Sequence, residues 1–410
     1  ENIRRIVDLR RQIAGLLGYE TYADYVLEER MAENTATVNA FLQELLDETI
    51  DYARADYAMI NDYAHAQGFE GDVMPWDWSY YAEKYKNEKY ALSDEQVKPY
   101  FELEKVKKGV FLLANKLYGL NFAKRDDIAV YHPDVTAYEV TDAKGDFVAV
   151  LYLDFFPRAS KRAGAWMTEF RGSKVVEGVE TRPLVSLVMN FTKPTETKPS
   201  LLTFDEVNTF LHEFGHSLHG MLGQGEYESL NGTSVYRDFV ELPSQIMENW
   251  ATEPEMLEQY ALHYRTNDKI PESLVRKIRR SAQFNQGFEM TELLAAALSD
   301  MDIHSQREYA PFDVNAFERE ALYAKRGLIP QIEPRYRYPY FSHIFDGGYS
   351  AGYYFYIWAQ VLDKDAYEAF RQSGDIFNRK IARAFREKLL SRGGEADGMT
   401  LYRDFRGQDP

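Results

Sequence analysis

Within Phe210-Leu211-His212-Glu213-Phe214-Gly215-His216-Ser217-Leu218-His219 lies the pattern H-E-x-x-H, the feature that most limits what this chain can build. Histidines at i and i+4 share one face of an α-helix, one turn apart. Two neutral imidazoles so placed can hold one Zn²⁺ at about 2.0–2.1 Å. The glutamate between them, Glu213, stands beside such an ion and can take a proton from water. The flanking residues read as a helix. Thr203 with Glu206 forms a capping box. Val207, Leu211, Leu218 and Leu222 supply an apolar stripe, and Gly223 and Gly225 stop it. A core helix with two buried, carbonyl-satisfied histidines is the plain alternative, and a glutamate between them at this spacing argues against it. His219, at i+7 from His212, is expected in the core or behind the metal ligands.

A third ligand is needed. Gly at 219 and His at 222 would mark the metzincin arrangement; His219 and Leu222 exclude it. Downstream, Arg237 to Trp250 fits a second helix, with Glu241, Gln245 and Glu248 on one face opposite Phe239, Leu242, Ile246 and Trp250. A carboxylate from that helix would complete a His₂Glu site with one position open to water. Spacing alone leaves Glu241, in the first turn, and Glu248, two turns on, both open. Glu226 and Glu228 lie in a Gly-flanked loop and are less well placed.

Composition removes other classes. The net charge is −17 and no basic patch is visible, which argues against a nucleic-acid partner. Cys is absent, so no disulfide can form and the compartment is not indicated by thiols. No apolar run of about 18 residues is present, so a transmembrane helix is not expected. With 410 residues, 45% of them hydrophobic, a large core is available.

Along the chain, residues 1–119 read as helices. Ile6, Leu9, Ile13, Leu16 and Leu17 form one amphipathic stripe. A short helix follows over Tyr22 to Met31, a long one over Thr35 to about Gln67, another from Pro75, and one over Tyr100 to Tyr118. The aromatic cluster from Trp76 to Tyr90 is expected to pack as core. The period then changes: Val135 to Val140, Phe147 to Asp154 and Leu184 to Phe191 read as strands, with a basic, glycine-flanked loop at Arg158 to Gly164. An edge strand ahead of the metal helix would suit pairing with an extended peptide. Helices return over Ser273 to Phe284, Met290 to Arg307 and Val314 to Ala324. After a loop over Pro330 to Tyr340, Tyr349, Tyr353 and Tyr356 stand at i, i+4 and i+7, expected on one face of a helix running to about Phe370. Gly347 and Gly348 precede them and His343 lies close by.

Taken together, several stretches resemble the thimet-oligopeptidase family of zinc peptidases. They are Leu153-Asp154-Phe155-Phe156-Pro157-Arg158, Phe210 to Gly220, Gly232-Thr233 through Gln245, Phe284 to Met290, Phe341 to Tyr356 and Phe405-Arg406-Gly407. Within the family they are most similar to bacterial members that release C-terminal dipeptides. The resemblance runs over essentially the whole chain. It implies a mainly α, zincin-type (gluzincin) metallopeptidase fold with a small β-sheet beside the zinc helix. It also implies Glu241 rather than Glu248 as third ligand to one zinc per chain, and Glu213 as general base. His343, Tyr349 and Tyr356 match residues that contact substrate, with Tyr353 nearby.

The expected reaction is hydrolysis of short peptides by a monomer, cytoplasmic or alternatively periplasmic. Holding a substrate's terminal carboxylate needs a cation; Arg237 is the first candidate, with Arg335 and Arg337 behind it and a structural salt bridge as the alternative for each. The resemblance also implies a further helical N-terminal region, which is not expected within these 410 residues. Residues 1–119 are accordingly expected to form part of a channel wall, and 120–410 the catalytic region. An internally cutting oligopeptidase, and a catalytically impaired peptide-binding fragment, are the competing expectations.

Overall fold

A computed structural model of the chain describes residues 1–90, 92–308 and 311–410. The helices before the sheet are α1 (Asn2–Leu16), α2 (Tyr22–Leu27), α3 (Thr35–Ala66), α4 (Pro75–Tyr90), α5 (Asp94–Val97) and α6 (Leu103–Tyr118). The strands are β1 (Asn121–Lys124), β2 (Thr136–Thr141), β3 (Phe147–Asp154), β4 (Trp166–Arg171), β5 (Lys174–Val176), β6 (Val179–Thr181) and β7 (Leu184–Val188). After them come α7 (Phe204–Leu222), α8 (Leu242–Glu248), α9 (Pro254–Tyr260), α10 (Glu272–Ser281), α11 (Gln286–His304) and α12 (Val314–Arg319). The chain ends with α13 (Ser342–Phe345), α14 (Phe355–Gln372), α15 (Arg379–Phe385) and α16 (Gly398–Arg406). The mainly α architecture with one small sheet is the one the sequence leads to. No helix among the described residues is long and apolar enough to cross a membrane.

Two compact units form, one from Glu1–Leu92 with Arg276–Ile357, the other from Ser93–Val275 with Trp358–Pro410. Neither coincides with the 1–119 and 120–410 regions read from the sequence, because each unit draws on distant stretches of chain.

In the first unit, α3 starts at Asn34, whose side chain accepts the Thr37 N–H. Its Ala53, Ile60 and Ala64 pack with Trp78, Phe284 and Phe288 in one core. Trp78 lies flat on Phe288, ring centroids 3.8 Å apart, and burying Phe288 contributes about 1.5–3 kcal/mol. Gly287 lets α11 touch α3: a Cβ there would stand 2.5 Å from the Tyr52 carbonyl carbon. The aromatic cluster splits, since Trp78 is core while Trp76 and Tyr80 are exposed. On α1 most of the stripe faces outward: Leu9, Ile13, Leu16 and Leu17 are exposed and Ile6 is half-buried, while Val7 and Ala14 are buried. The reason is polar. Arg10, on the side of Val7 and Ala14, donates to the Ile344 and Phe345 carbonyls, which fixes the rotation of the helix.

The second unit is built around a five-stranded sheet of order β1-β2-β3-β7-β4. All pairs are antiparallel except β3 with β7, which run parallel with Leu151 opposite Val185. From Val148 to Asp154 strand β3 is buried throughout, as a central strand requires. The sequence reading found β2, β3 and β7 but not β1, the β5–β6 hairpin or the edge strand β4. Asp154 closes the basic loop after β3: Arg158 donates to both its carboxylate oxygens at 2.8 and 2.9 Å, and Lys161 donates at 3.0 Å.

Candidate metal centre

The centre lies in the second unit and begins with α7. The Glu206 N–H donates to Thr203 Oγ1 at 3.0 Å, and Thr203 N–H to Glu206 Oε2 at 2.8 Å, so the capping box is complete. Nineteen residues of helix then carry His212 and His216 on one face, ring centroids 5.0 Å apart.

The third group comes from the start of α8. The helix expected over Arg237 to Trp250 begins only at Leu242, with Pro243 in its first turn. Glu241 therefore stands just before it and is buried, and Ser244 Oγ donates to its Oε2 at 3.0 Å. Gly215, inside the H-E-x-x-H stretch, permits this approach. A Cβ on Gly215 would lie 2.2 Å from the Pro243 carbonyl oxygen and 2.6 Å from Ser244 Cα.

Glu241 Oε2 stands 3.3 Å from His212 Nε2 and 3.2 Å from His216 Nε2. Ligand atoms about 2.0–2.1 Å from a tetrahedral ion are about 3.3–3.4 Å apart, so the trio has the separations a divalent metal needs. Among the described residues it is the only such group of His, Cys, Asp and Glu side chains. Glu248, the other carboxylate left open by spacing, is not in it. Its Oε1 lies 2.7 Å from His212 Nδ1. That contact fixes the ring with Nε2 toward Glu241 and makes the imidazole a better ligand. Burial works against charge on His212, but hydrogen bonds to Glu241 and Glu248 prevail and push it up to about 10. Burial likewise opposes charge on Glu241, yet His216 and His212 hold it well below the usual carboxylate range.

Glu213 is buried beside the trio. Burial pushes its carboxyl up, while His216, His212 and the Met167 backbone of β4 pull it down. Such a group can take and return a proton. His219 is wholly buried, and neither ring nitrogen has a hydrogen-bond partner among the described residues. Burial, with His216 adding to it, pushes it down to about 3, so it is a neutral core residue.

The other expected site residues belong to the first unit, apart from Arg237. His343, Tyr349, Tyr353 and Tyr356 come together there. His343 lies 6.1 Å from the Tyr349 ring and 5.5 Å from Tyr353, and Tyr349 stacks parallel to Tyr356 at 5.7 Å. They do not share a helix face: α14 begins at Phe355, and before it Tyr349 lies in irregular chain and Tyr353 in a turn. Ala351, at φ 51°, breaks the helical run. Arg335 pairs with Glu292 at 3.2 Å, and Arg337 with buried Glu318 at 2.8 Å. Arg237 is the candidate cation of the second unit.

Sequence reasoning missed Glu248 as the partner of His212, and β4 as the strand beside Glu213. The alternation of Trp166, Thr168 and Phe170 between Gly164 and Gly172 was the signal for β4.

Residues 1–410 match the family described as Peptidase family M3. Dipeptidyl carboxypeptidase of Escherichia coli (strain K12) is 44% identical over 410 residues, covering 100% of this chain and 60% of that protein. Oligopeptidase A of the same organism is 39% identical over 413 residues, again 100% of this chain and 60% of the relative. The chain thus spans about 60% of the length of these curated relatives. Among solved structures, the M32 carboxypeptidase from Deinococcus radiodurans R1 gives a TM-score of 0.57 at 16% identity, covering 99% of this chain and 70% of that one. PZ peptidase A with inhibitor 2 gives 0.54 at 15%, covering 99% and 61%. At such identities the structural likeness speaks for the fold alone.

Proposed function

This chain belongs to peptidase family M3, and on that premise we propose that it is a zinc peptidase of short peptides that releases C-terminal dipeptides. The observation that carries the reading is the His212, His216 and Glu241 trio with Glu213 buried beside it. One zinc ion per chain is proposed there, since two imidazoles and a carboxylate are a donor set zinc favours. When bound, zinc supplies Lewis acidity, lowering the pKa of water to about 7 and polarising a carbonyl.

The chain's own groups do the rest. Glu213 takes the proton from the attacking water, holds it away from bulk solvent and delivers it to the leaving amine. A hydroxyl from Tyr356 or Tyr349, with His343 as a further donor and Tyr353 beside them, meets the charge that grows on the carbonyl oxygen. Arg237, and after it Arg335 and Arg337, is the proposed cation for the substrate's terminal carboxylate. Dipeptide release is favoured by the likeness to proteins named dipeptidyl carboxypeptidase at 44% and 42% identity. An endopeptidase is the second reading, favoured by the likeness to proteins named oligopeptidase A at 39% and 38% identity. The remaining elements of the proposal are residues 120–410 as the catalytic region, residues 1–119 as channel wall, a monomeric state and a cytoplasmic location.

The test is mass analysis of products from one peptide supplied with a free and with an amidated C-terminus. Dipeptides from the free peptide alone support the proposal. Equal cleavage of both establishes the endopeptidase reading, and no cleavage by zinc-loaded full-length protein refutes both.

A further inference from the structure

The segment that carries the tyrosines has no regular structure of its own to hold it. Between α13 and α14 it contains Gly347, Gly348 and Gly352, with Gly348 at φ 81° and Ala351 at φ 51°. Glycines widen the unfolded ensemble and leave a loop with little intrinsic preference for one shape. Ala351 occupies a backbone region that L side chains rarely adopt. Such a residue keeps this conformation only if its surroundings over-determine it.

A buried carboxylate does so. Asp300, on α11, is wholly inaccessible to solvent. Its Oδ1 accepts the Ala351 N–H at 3.0 Å, and its Oδ2 accepts those of Gly352 at 2.8 Å and Tyr353 at 2.9 Å. One helical turn further on, His304 Nδ1 lies 2.8 Å from Asp300 Oδ1. The tautomer follows from the other side of the ring, where Arg10 Nη1 stands 2.8 Å from His304 Nε2. A guanidinium can only donate. Nε2 is therefore the acceptor, His304 is neutral, and Nδ1–H donates to Asp300. With these donors the lone-pair capacity of the carboxylate is filled.

Arg10 completes the hold at the other end of the segment. Its Nη1 also donates to the Ile344 carbonyl at 2.7 Å and its Nη2 to that of Phe345 at 3.3 Å, at the close of α13. Between the two anchors, Ser350 Oγ meets Tyr22 Oη at 3.2 Å. The chain Arg10, His304, Asp300 thus grips the segment on both sides of Tyr349 and immediately before Tyr356. Its charges cancel, so it is held in the interior without a net ion.

We propose that Asp300, backed by His304 and Arg10, is a positioning residue for the reaction, fixing Tyr349, Tyr353 and Tyr356 in the arrangement that meets substrate. The inference rests on the proposed role of those tyrosines. A misplacement of about 1 Å in such groups can cost about 10²-fold in rate.

The experiment uses full-length, zinc-loaded protein carrying Asp300→Asn. The amide keeps the size but turns an N–H₂ toward the Gly352 and Tyr353 N–H groups, donor against donor. Expected are parental zinc content, kcat lower by about 10- to 100-fold with KM changed less, and faster hydrogen exchange at the 351–353 amides. Arg10→Met should act in the same direction and Arg10→Lys less so, and Arg10→Met carries the test if Asp300→Asn does not fold. Combined with Tyr356→Phe, Asp300→Asn should cost less than the sum of the two singles, since one acts through the other. Parental kcat and parental exchange at 351–353 in Asp300→Asn would overturn the proposal. Parental kcat in Tyr349→Phe and Tyr356→Phe, with exchange at 351–353 still raised in Asp300→Asn, would instead overturn the role of the tyrosines and leave the anchor established.

Discussion

Gly215→Ala is a one-carbon change whose consequences for stability and for metal binding should separate. The added Cβ would stand 2.2 Å from the Pro243 carbonyl oxygen and 2.6 Å from Ser244 Cα, both backbone atoms that no rotamer change can move. Ordinary contact needs about 3.5 Å, so α7 and α8 must part by about 1 Å. Overpacking of this kind costs about 1–3 kcal/mol, while alanine in place of glycine inside a helix returns about 0.8–1.0 kcal/mol. Metal-free protein should therefore lose only about 0–2 kcal/mol. Metal binding has no such compensation. Glu241 directly precedes α8 and moves with it, and its Oε2 is now 3.3 and 3.2 Å from the two imidazoles. Another 1 Å takes it beyond the separation of about 3.3–3.4 Å that one tetrahedral ion can bridge. Removing a mere partner of a ligand costs about 10–100-fold in affinity, so displacing the ligand itself should cost at least about 100-fold. Chelator competition on metal-free protein gives the affinity, and calorimetry with and without zinc gives the stabilisation, which should shrink by about 2.7 kcal/mol or more. A folded Gly215→Ala protein with parental zinc affinity would show that the close approach of α8 does not place Glu241.

Glu213→Gln should keep its zinc and lose activity by about 10²–10⁴-fold or more, since the amide retains shape but cannot carry the proton; turnover within tenfold of the parent, measured with zinc content, would name another base. Glu248→Ala should leave the fold intact and weaken zinc binding by about 10–100-fold, because His212 loses the acceptor for its Nδ1–H; unchanged affinity in a chelator titration would mean the contact is incidental. Glu169→Gln should flatten the dependence of stability on pH. Burial pushes Glu169 up to about 7, against an ordinary value near 4.5. The folded state thus binds more protons than the unfolded state between these values, and stability falls as pH rises from 4.5 toward 7, then levels off. After allowance for partial solvent access the loss is about 2 kcal/mol. Equal slopes for Glu169→Gln and parent in denaturant melts from pH 5 to pH 8 would refute the assignment.

What could be read from the sequence is what depends on short range. The i, i+4 histidines, the intervening glutamate and the Thr203–Glu206 capping box each express one helix's geometry, and they appear as read. Glu241 and Glu248 repeat on one helical face, so periodicity could not choose between them. The choice is made by Gly215 meeting Pro243, a contact between helices. The tyrosine spacing suggested a helix, but the N–H groups of Ala351, Gly352 and Tyr353 are claimed by Asp300, far away in sequence, and the helix starts only afterwards. Most of the α1 stripe faces outward for a related reason: Arg10 has a fixed target at Ile344 and Phe345, and that target outweighs exposure of Leu9 and Ile13.

Strand β4 joins the parts that were legible to those that were not. It is short, its outer end is polar, and its partner β7 follows it in sequence, so pattern alone concealed it. Met167 and Glu169 alternate onto the side facing α7. The Met167 backbone favours the charged form of Glu213 and the Thr233 backbone that of Glu169, whose side chain lies against Gly220, one helical turn beyond His216. The proposed base thus lies beside a main-chain group of β4, which a side-chain change at position 167 leaves in place. A Cβ on Gly220 would stand 2.7 Å from Glu169 Oε1, and one on Gly232 would stand 2.8 Å from it. Two glycines thus leave room for the carboxyl group between helix and loop, and burial there keeps it protonated to about pH 7. Glu169 of β4 thus sits against the helix that carries His212 and His216 and against the loop at Gly232.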